Sequence, residues 1–77
     1  MEKTEQIVLT FNTTHDAIAS EKYCRENGIN ARLIPVPRIL SASCGLALKG
    51  ALSEDEKLKT AVSEGKIRTA GSYRLFL

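Results

Sequence analysis

The sequence predicts a single α+β domain over residues 1–77, in which two helices cover one face of a four-stranded antiparallel sheet. Four short runs have the composition of strands, and two longer segments carry the capping signals of helices. They follow one another in the order strand, helix, strand, strand, helix, strand. A chain of 77 residues can bury one small core, which excludes a second independent domain.

The first strand is predicted over residues 6–11, where alternate apolar side chains fall on one face: Ile7, Leu9 and Phe11. Thr13 then precedes Asp16 by three residues, which resembles a capping box with Asp in place of the usual Glu or Gln. A helix follows through residue 27. Gly28 suits the left-handed position after a helix, and Ile29 supplies the apolar contact that often accompanies that cap. Cys24 is expected to point inward from this helix.

The second and third strands are predicted over residues 31–36 and 46–49, the latter ended by Gly50. Pro35 and Pro37 cannot donate hydrogen bonds to a neighbouring strand. Proline is therefore confined largely to edge strands, and the second strand is expected at an edge of the sheet.

The second helix is predicted to begin at Ser53, as the N-cap, with Glu56 closing a capping box. Its apolar face has spacings of three and four residues: Leu58, Ala61 and Val62. Gly65 and Ile67 repeat the stop signal of the first helix. The last strand is predicted over residues 73–77.

The commonest arrangement of this order of elements is the ferredoxin-like βαββαβ sandwich. In that fold the first and third strands are central and the second and fourth lie at the edges, which agrees with the prolines of the second strand. The sheet's open face would carry Val8, Thr10, Ala47 and Lys49, without the aromatic residues that bind RNA bases. We therefore expect no nucleic-acid partner.

Residues 35–45 form a connection longer than most hairpin loops, and such connections often carry function. This loop contains the candidate site residue Cys44. The fold would bring the loop to the same end of the sheet as the first helix's N-terminus and four basic side chains: His15, Arg38, Lys66 and Arg68. Positive charge and a helix N-terminus favour a thiolate. The hydroxyls of Ser41 and Ser43 would hydrogen-bond the anion, and Gly45 would let a second sulfur approach.

Composition excludes several other classes. The net charge of +2 is scattered along the chain and does not indicate nucleic acid. No apolar run approaches the roughly 20 residues that span a membrane, and the acidic N-terminus lacks the pattern of a signal peptide, so we expect a cytoplasmic protein. Two cysteines and one histidine do not supply the four ligands of a structural zinc site. We expect no metal and no cofactor.

The chain resembles the putative selenium/sulfur carrier protein-like family, formerly a domain of unknown function. The residues that carry the resemblance are Pro35-Val36-Pro37-Arg38, then Ser41-Ala42-Ser43-Cys44-Gly45-Leu46-Ala47-Leu48, together with residues 11–17 and Glu21-Lys22. The similarity covers nearly the whole chain. It implies that Cys44 carries sulfur or selenium as a persulfide or selenopersulfide, with Arg38 as its loop partner. Such a carrier is not an enzyme, and its implied partner is a cysteine desulfurase or another sulfur carrier.

Each assignment has a plainer alternative. Cys44 can be a small buried apolar residue at a strand start. His15, Lys66 and Arg68 can be solvated, and Ile39 and Leu40 can either dock a partner or fold inward. The alternative function is a non-enzymatic ligand-sensing or interaction module, because this fold hosts many regulators. Apolar residues on the open face, including Val8 and Ala47, also suggest a weak homodimer, formed face to face or through an edge strand.

Overall fold

The computed structural model describes residues 4–40 and 44–77, which form one sheet and two helices. The strands are β1 (Glu5–Thr10), β2 (Ala31–Pro35), β3 (Leu46–Ala51) and β4 (Gly71–Phe76), and the helices are α1 (Thr14–Glu26) and α2 (Asp55–Ser63). The strand order is β2-β3-β1-β4, and every neighbouring pair is antiparallel. The α+β prediction is confirmed, and this order is compatible with the ferredoxin-like sheet.

The two faces of the sheet differ in what covers them. Ile7 and Leu9 of β1 and Leu48 of β3 face the helices and belong to one apolar core with Leu58 and Ala61 of α2. On the other face Val8 and Ala47 are also fully buried, and Val8 lies between Lys49 and Tyr73 on the neighbouring strands. The expectation that Val8 and Ala47 leave exposed apolar surface is therefore wrong.

Helix α1 has the predicted caps. The backbone N–H of Asp16 donates to Thr13 Oγ1 at 3.1 Å, so Thr13 is the N-cap. The helix ends at Glu26, and the next residue is its C-cap. Gly28 has a φ of 68°, and the N–H of Ile29 donates to the carbonyl of Cys24 at 2.9 Å. A left-handed glycine after the helix thus turns the chain toward β2.

The predicted start of the second helix is wrong. Residues Leu52–Glu54 form a 3₁₀ turn, α2 begins at Asp55, and its N-cap Glu54 makes no side-chain capping hydrogen bond. Ser53 lies inside the turn, so it does not form a capping box with Glu56. The physical reason is that β3 runs through Gly50 to Ala51, and the chain has to turn before an α-helix can begin.

Strand β3 ends later than predicted and strand β4 begins earlier, and each added part contains a glycine. A Cβ added to Gly50 would lie 2.9 Å from Leu58 Cδ1, so the missing side chain lets α2 pack closely on β3. β4 begins at Gly71, two residues before the predicted start, and Gly71 pairs with Thr10. A Cβ at Gly71 would be 2.9 Å from Tyr73 Oη, which shows that the Tyr73 side chain lies over Gly71.

Neither helix within residues 4–40 and 44–77 is long and apolar enough to cross a membrane.

Candidate functional site

The strand register brings three connections to one end of the sheet. Thr10, the last residue of β1, lies opposite both Ala47 and Gly71, and Pro35 lies opposite Leu46. The β1–α1 turn, the β2–β3 loop and the α2–β4 connection therefore leave the sheet at the same end, as the sequence predicted.

Cys44 lies at this end, immediately before β3, and only 4% of its surface is exposed. Its sulfur has an apolar side, because Cys44 belongs to the same core as Leu48. It also has a polar side, where the N–H of Leu46 donates to Sγ at 3.4 Å and the Thr14 hydroxyl lies 3.8 Å away. Cys44 is thus buried, as its plainer alternative requires, and its thiol also lies 3.8 Å from the carbonyl of Leu46, to which it can donate.

The Thr14 contact places this sulfur beside the start of α1. Thr14 is the first residue of the helix, and its hydroxyl can either donate to Sγ or accept from it. Helix N-termini carry partial positive charge and free N–H groups, which stabilise anions. Sequence reasoning missed Thr14, whose neighbour Thr13 carries the capping signal, and nothing local to Thr14 indicates its contact with a residue thirty positions later.

The predicted basic residues are divided between two places. His15, Lys66 and Arg68 line a groove of about 250 Å³ between the start of α1 and the exit of α2, and Cys44 does not line it. Successive helical residues point about 100° apart. Thr14 therefore turns toward Cys44, while His15 turns toward α2. All four residues lie at the same end of the sheet, but the groove lined by His15, Lys66 and Arg68 does not include Cys44. The expectation that Cys44 faces these three side chains is therefore wrong.

The described part of the loop includes both exposed and partly buried residues. Arg38 is exposed, and within residues 4–40 and 44–77 it forms no ion pair with an acidic side chain. Ile39 is 78% exposed, whereas Leu40 is half-buried. Gly45 is exposed, and a Cβ added there would meet no atom within 4 Å among the described residues other than its chain neighbours. Ser41 and Ser43, the predicted anion donors, lie outside the described residues.

Cys24 has a different environment. It is fully buried on the inner face of α1, as predicted. Its burial, together with the nearby carboxylates of Glu54 and Glu21, raises the pKa of this thiol from 9.0 to about 11. A thiol held protonated in this way is a poor nucleophile.

Metal binding receives no support from the described residues. In residues 4–40 and 44–77, no three side chains of His, Cys, Asp or Glu come together as a possible metal site. Both cysteines are free thiols.

Fold and site together define a small α+β protein with one cysteine held at a loop-to-strand junction. The chain belongs to the family described as "Putative Se/S carrier protein-like", whose model matches residues 6–74. That match includes most of β1 and of β4, the whole β2–β3 loop and both cysteines, and the family's description is that of a selenium or sulfur carrier. No curated protein matched the chain. No solved structure matched it either.

Proposed function

We propose that this protein carries sulfur or selenium on Cys44. The observation that supports the proposal is the contrast between the two thiols. Cys24 is enclosed in the core with its pKa raised to about 11, whereas the Cys44 sulfur accepts a backbone N–H and lies beside the N-terminus of α1. Membership of a family described as carriers agrees with this assignment.

The proposed transfer is a thiol exchange. The Cys44 thiolate attacks the terminal sulfur of a donor persulfide, R–S–SH, and a bond forms between Sγ and that sulfur. The donor's S–S bond breaks at the same time, and its electron pair leaves with the donor sulfur as the thiolate R–S⁻. Cys44 then holds a persulfide, and an acceptor thiolate removes the terminal sulfur by the same chemistry. No net oxidation occurs in either step.

The partner in this proposal is a protein that presents a persulfide, such as a cysteine desulfurase or another sulfur carrier. Ile39 provides a contact for it, because an apolar side chain that is 78% exposed favours burial against a partner surface. Gly45 provides an approach next to Cys44, because it carries no side chain of its own and, among residues 4–40 and 44–77 other than its chain neighbours, no atom lies within 4 Å of where its Cβ would be. Arg38 supplies a positive charge on the same loop.

The burial of Cys44 adds one requirement to the proposal. Sγ has to become accessible during transfer. Just past the end of β2, the N–H of Val36 donates to the carbonyl of Gly45 at 3.1 Å, and this bond holds the two sides of the loop together. Opening breaks this bond, whose net contribution is about 1 kcal/mol, and also withdraws the Cys44 side chain from the core. We therefore propose that the donor reaches Cys44 after this end of the hairpin opens.

The test is to incubate the protein with cysteine and a cysteine desulfurase, and to measure intact mass before and after reductant. We expect an added mass of one sulfur atom that reductant removes, and peptide mapping should place it on Cys44. The matched variants are Cys44→Ala, which should lose the adduct, and Cys24→Ala, which should keep it. Thr14→Val should form the adduct more slowly than Thr14→Ser, which retains the hydroxyl. An adduct on Cys24, or none on either residue, would contradict the proposal.

The burial of Cys44 also favours a second candidate, a binding module without sulfur chemistry. In that case Cys44 is a packing residue, and its replacement by a similar apolar side chain should leave function intact. Alkylation of the folded protein separates the two candidates. A Cys44 that resists alkylation as strongly as Cys24 favours the module.

A further inference from the structure

The two edge strands, β2 and β4, differ in whether their outward backbone N–H groups are bonded. On β2 the backbone groups of the even-numbered residues bond to β3, as the bond from Val36 N–H to the carbonyl of Gly45 shows. The backbone groups of the odd-numbered residues therefore point away from the sheet, at its edge. Every outward N–H there is either bonded or absent. Ala31 N–H donates to the carbonyl of Ile29 at 3.0 Å, Leu33 N–H donates to the Glu21 carboxylate at 3.0 Å, and Pro35 has no N–H.

The β4 edge has no such protection in the described part of the chain. Leu77 and Thr4 exchange two backbone hydrogen bonds, so the backbone groups of the odd-numbered residues of β4 bond to β1. The backbone N–H and carbonyl groups of the even-numbered residues therefore point away from the sheet. The outward residues are Ser72, Arg74 and Phe76, all exposed. Within residues 4–40 and 44–77, no group accepts from their N–H groups or donates to their carbonyls. An open edge of this kind is a template for another strand.

Exposed apolar side chains follow the same edge. Phe76 is 65% exposed, Tyr73 is 41% exposed and Leu77 is 38% exposed. Charge on β4 is confined to Arg74, which is held by Asp55 of α2 at 3.0 Å. The edge therefore offers both unpaired backbone groups and apolar contact area.

We propose that this edge pairs with the β4 strand of a second copy, which gives a two-fold dimer with a continuous eight-stranded sheet. Each copy already holds β4 as a strand, so neither has to order a flexible segment on binding, as a free peptide would. Each copy also has one edge with free N–H groups, because the outward N–H groups of β2 are bonded or absent. Pairing through β4 therefore stops at two chains and does not continue into a fibre.

The side chains select a register. Pairing Arg74 with Arg74 of the second copy would place like charges directly opposite, which is unfavourable. Moving the strands by one pair of residues places Arg74 opposite Phe76 of the second copy, on the helix side. Leu75 then faces its own equivalent on the other side, and Tyr73 faces Leu77. Every exposed apolar side chain of the edge acquires a cross-strand neighbour.

The interface is small. One strand from each chain buries less than the roughly 1,200 Å² at which stable complexes begin, so the dimer is expected to be weak and to depend on concentration. This inference does not depend on the proposed function, because its test measures association and not sulfur transfer.

The first test is the mass of the full chain in solution, by sedimentation over a range of concentrations up to about 1 mM. We expect a monomer–dimer equilibrium without larger species. Phe76→Pro removes an outward N–H and no bond to β1, and it should weaken the dimer about tenfold or more. The matched control is Ile18→Lys, which removes an apolar side chain of similar exposure on α1 and should change nothing. A chain that is monomeric throughout, or a dimer equally weakened by Ile18→Lys, would overturn the proposal.

The second test addresses the register. Phe76→Lys puts a like charge opposite Arg74 of the second copy, whereas Phe76→Glu puts an opposite charge there, so the lysine variant should dimerise more weakly. Amide exchange at high concentration should slow at Arg74 and Phe76 and stay fast at Ser72. Equal association of the two charge variants, or protection of Ser72 together with Arg74, would reject the register.

Discussion

The two cysteines differ in which groups surround their sulfur atoms. Cys24 lies on the buried face of α1, with the carboxylates of Glu21 and Glu54 acting on it through the core. Cys44 has an N–H donor at 3.4 Å and a hydroxyl at 3.8 Å. The Cys44 thiol also lies 3.8 Å from the carbonyl of Leu46, to which it can donate. The carboxylates near Cys24 disfavour its thiolate, and for this reason we propose the transfer chemistry for Cys44 and a packing role for Cys24.

The raised pKa of Cys24 predicts a loss of stability in alkali. The folded protein holds the Cys24 proton up to about pH 11, whereas the unfolded chain releases it near pH 9.0. Between these values the folded state binds more protons, so the free energy of unfolding falls as pH rises, by about 2–3 kcal/mol in total. Below pH 9.0 this stabilisation is fully present.

Urea unfolding in the presence of reductant, from pH 8 to pH 11, measures this effect. Cys24→Ala should lack the Cys24 part of the decline, even if the lost sulfur lowers its stability at every pH. Cys44→Ala is the matched control and should retain the decline. Parallel curves for the original chain and Cys24→Ala would show that Cys24 does not titrate in this way.

At the scale of elements, the two helices start by different means. Thr13 caps α1 through its side chain, whereas α2 follows a 3₁₀ turn and has no side-chain cap. Thr13→Ala should lower the free energy of unfolding by about 1 kcal/mol, because the N–H of Asp16 loses its acceptor. Ser53→Ala should change it by less than about 0.5 kcal/mol, because Ser53 makes no cap. Thr13→Ser should restore stability in the same urea titrations. A larger loss for Ser53→Ala than for Thr13→Ala would contradict this account.

Signals within single segments predicted most of the elements. Alternation in β1, the cap at Thr13 and the glycine after each helix are all local, and Pro35 correctly indicated an edge strand. The start of α2 was wrong because the serine-to-glutamate spacing at 53–56 cannot show where β3 ends.

Contacts between segments were not predictable in the same way. The burial of Cys44 depends on Leu48 and the rest of the core, and the loop's polar composition alone indicated nothing of it. In the sequence Glu21 has no feature that separates it from other charged helix residues. In the structure its carboxylate accepts a hydrogen bond from the backbone N–H of Leu33 in β2. Such contacts decide which residues of a predicted site come together, so the end of the sheet was predictable and the neighbours of Cys44 were not.

In the whole molecule, the proposed site and the proposed dimer edge lie apart. The loop to Cys44 joins β2 and β3, while β4 is the opposite edge, with β1 between it and β3. A dimer formed through β4 therefore leaves the β2–β3 loop of both copies free for a sulfur donor. Carrier function and association are compatible, and each can fail without the other.

The carrier proposal also requires that Cys44 be reached without unfolding the whole protein. Local and global opening are distinguished by how an opening reaction responds to overall stability. Gly50→Ala is a suitable perturbation, because its Cβ would meet Leu58 at 2.9 Å in the core shared by β3 and α2. It should destabilise the fold by about 1–2 kcal/mol. Cys24 alkylation should then accelerate about tenfold for each 1.4 kcal/mol lost, because Cys24 becomes accessible when the core opens.

Cys44 should respond differently if the end of the β2–β3 hairpin opens on its own. Its alkylation rate in Gly50→Ala should stay within about twofold of the original rate, because a local opening that breaks the bond from Val36 to Gly45 withdraws Cys44 from the core without separating Gly50 from Leu58. Single-cysteine variants, Cys24→Ala and Cys44→Ala, allow each rate to be followed by mass spectrometry. If Cys44 accelerates in step with Cys24, both thiols are exposed by the same global unfolding. Cys44 would then be a core residue, and the binding-module candidate would replace the carrier.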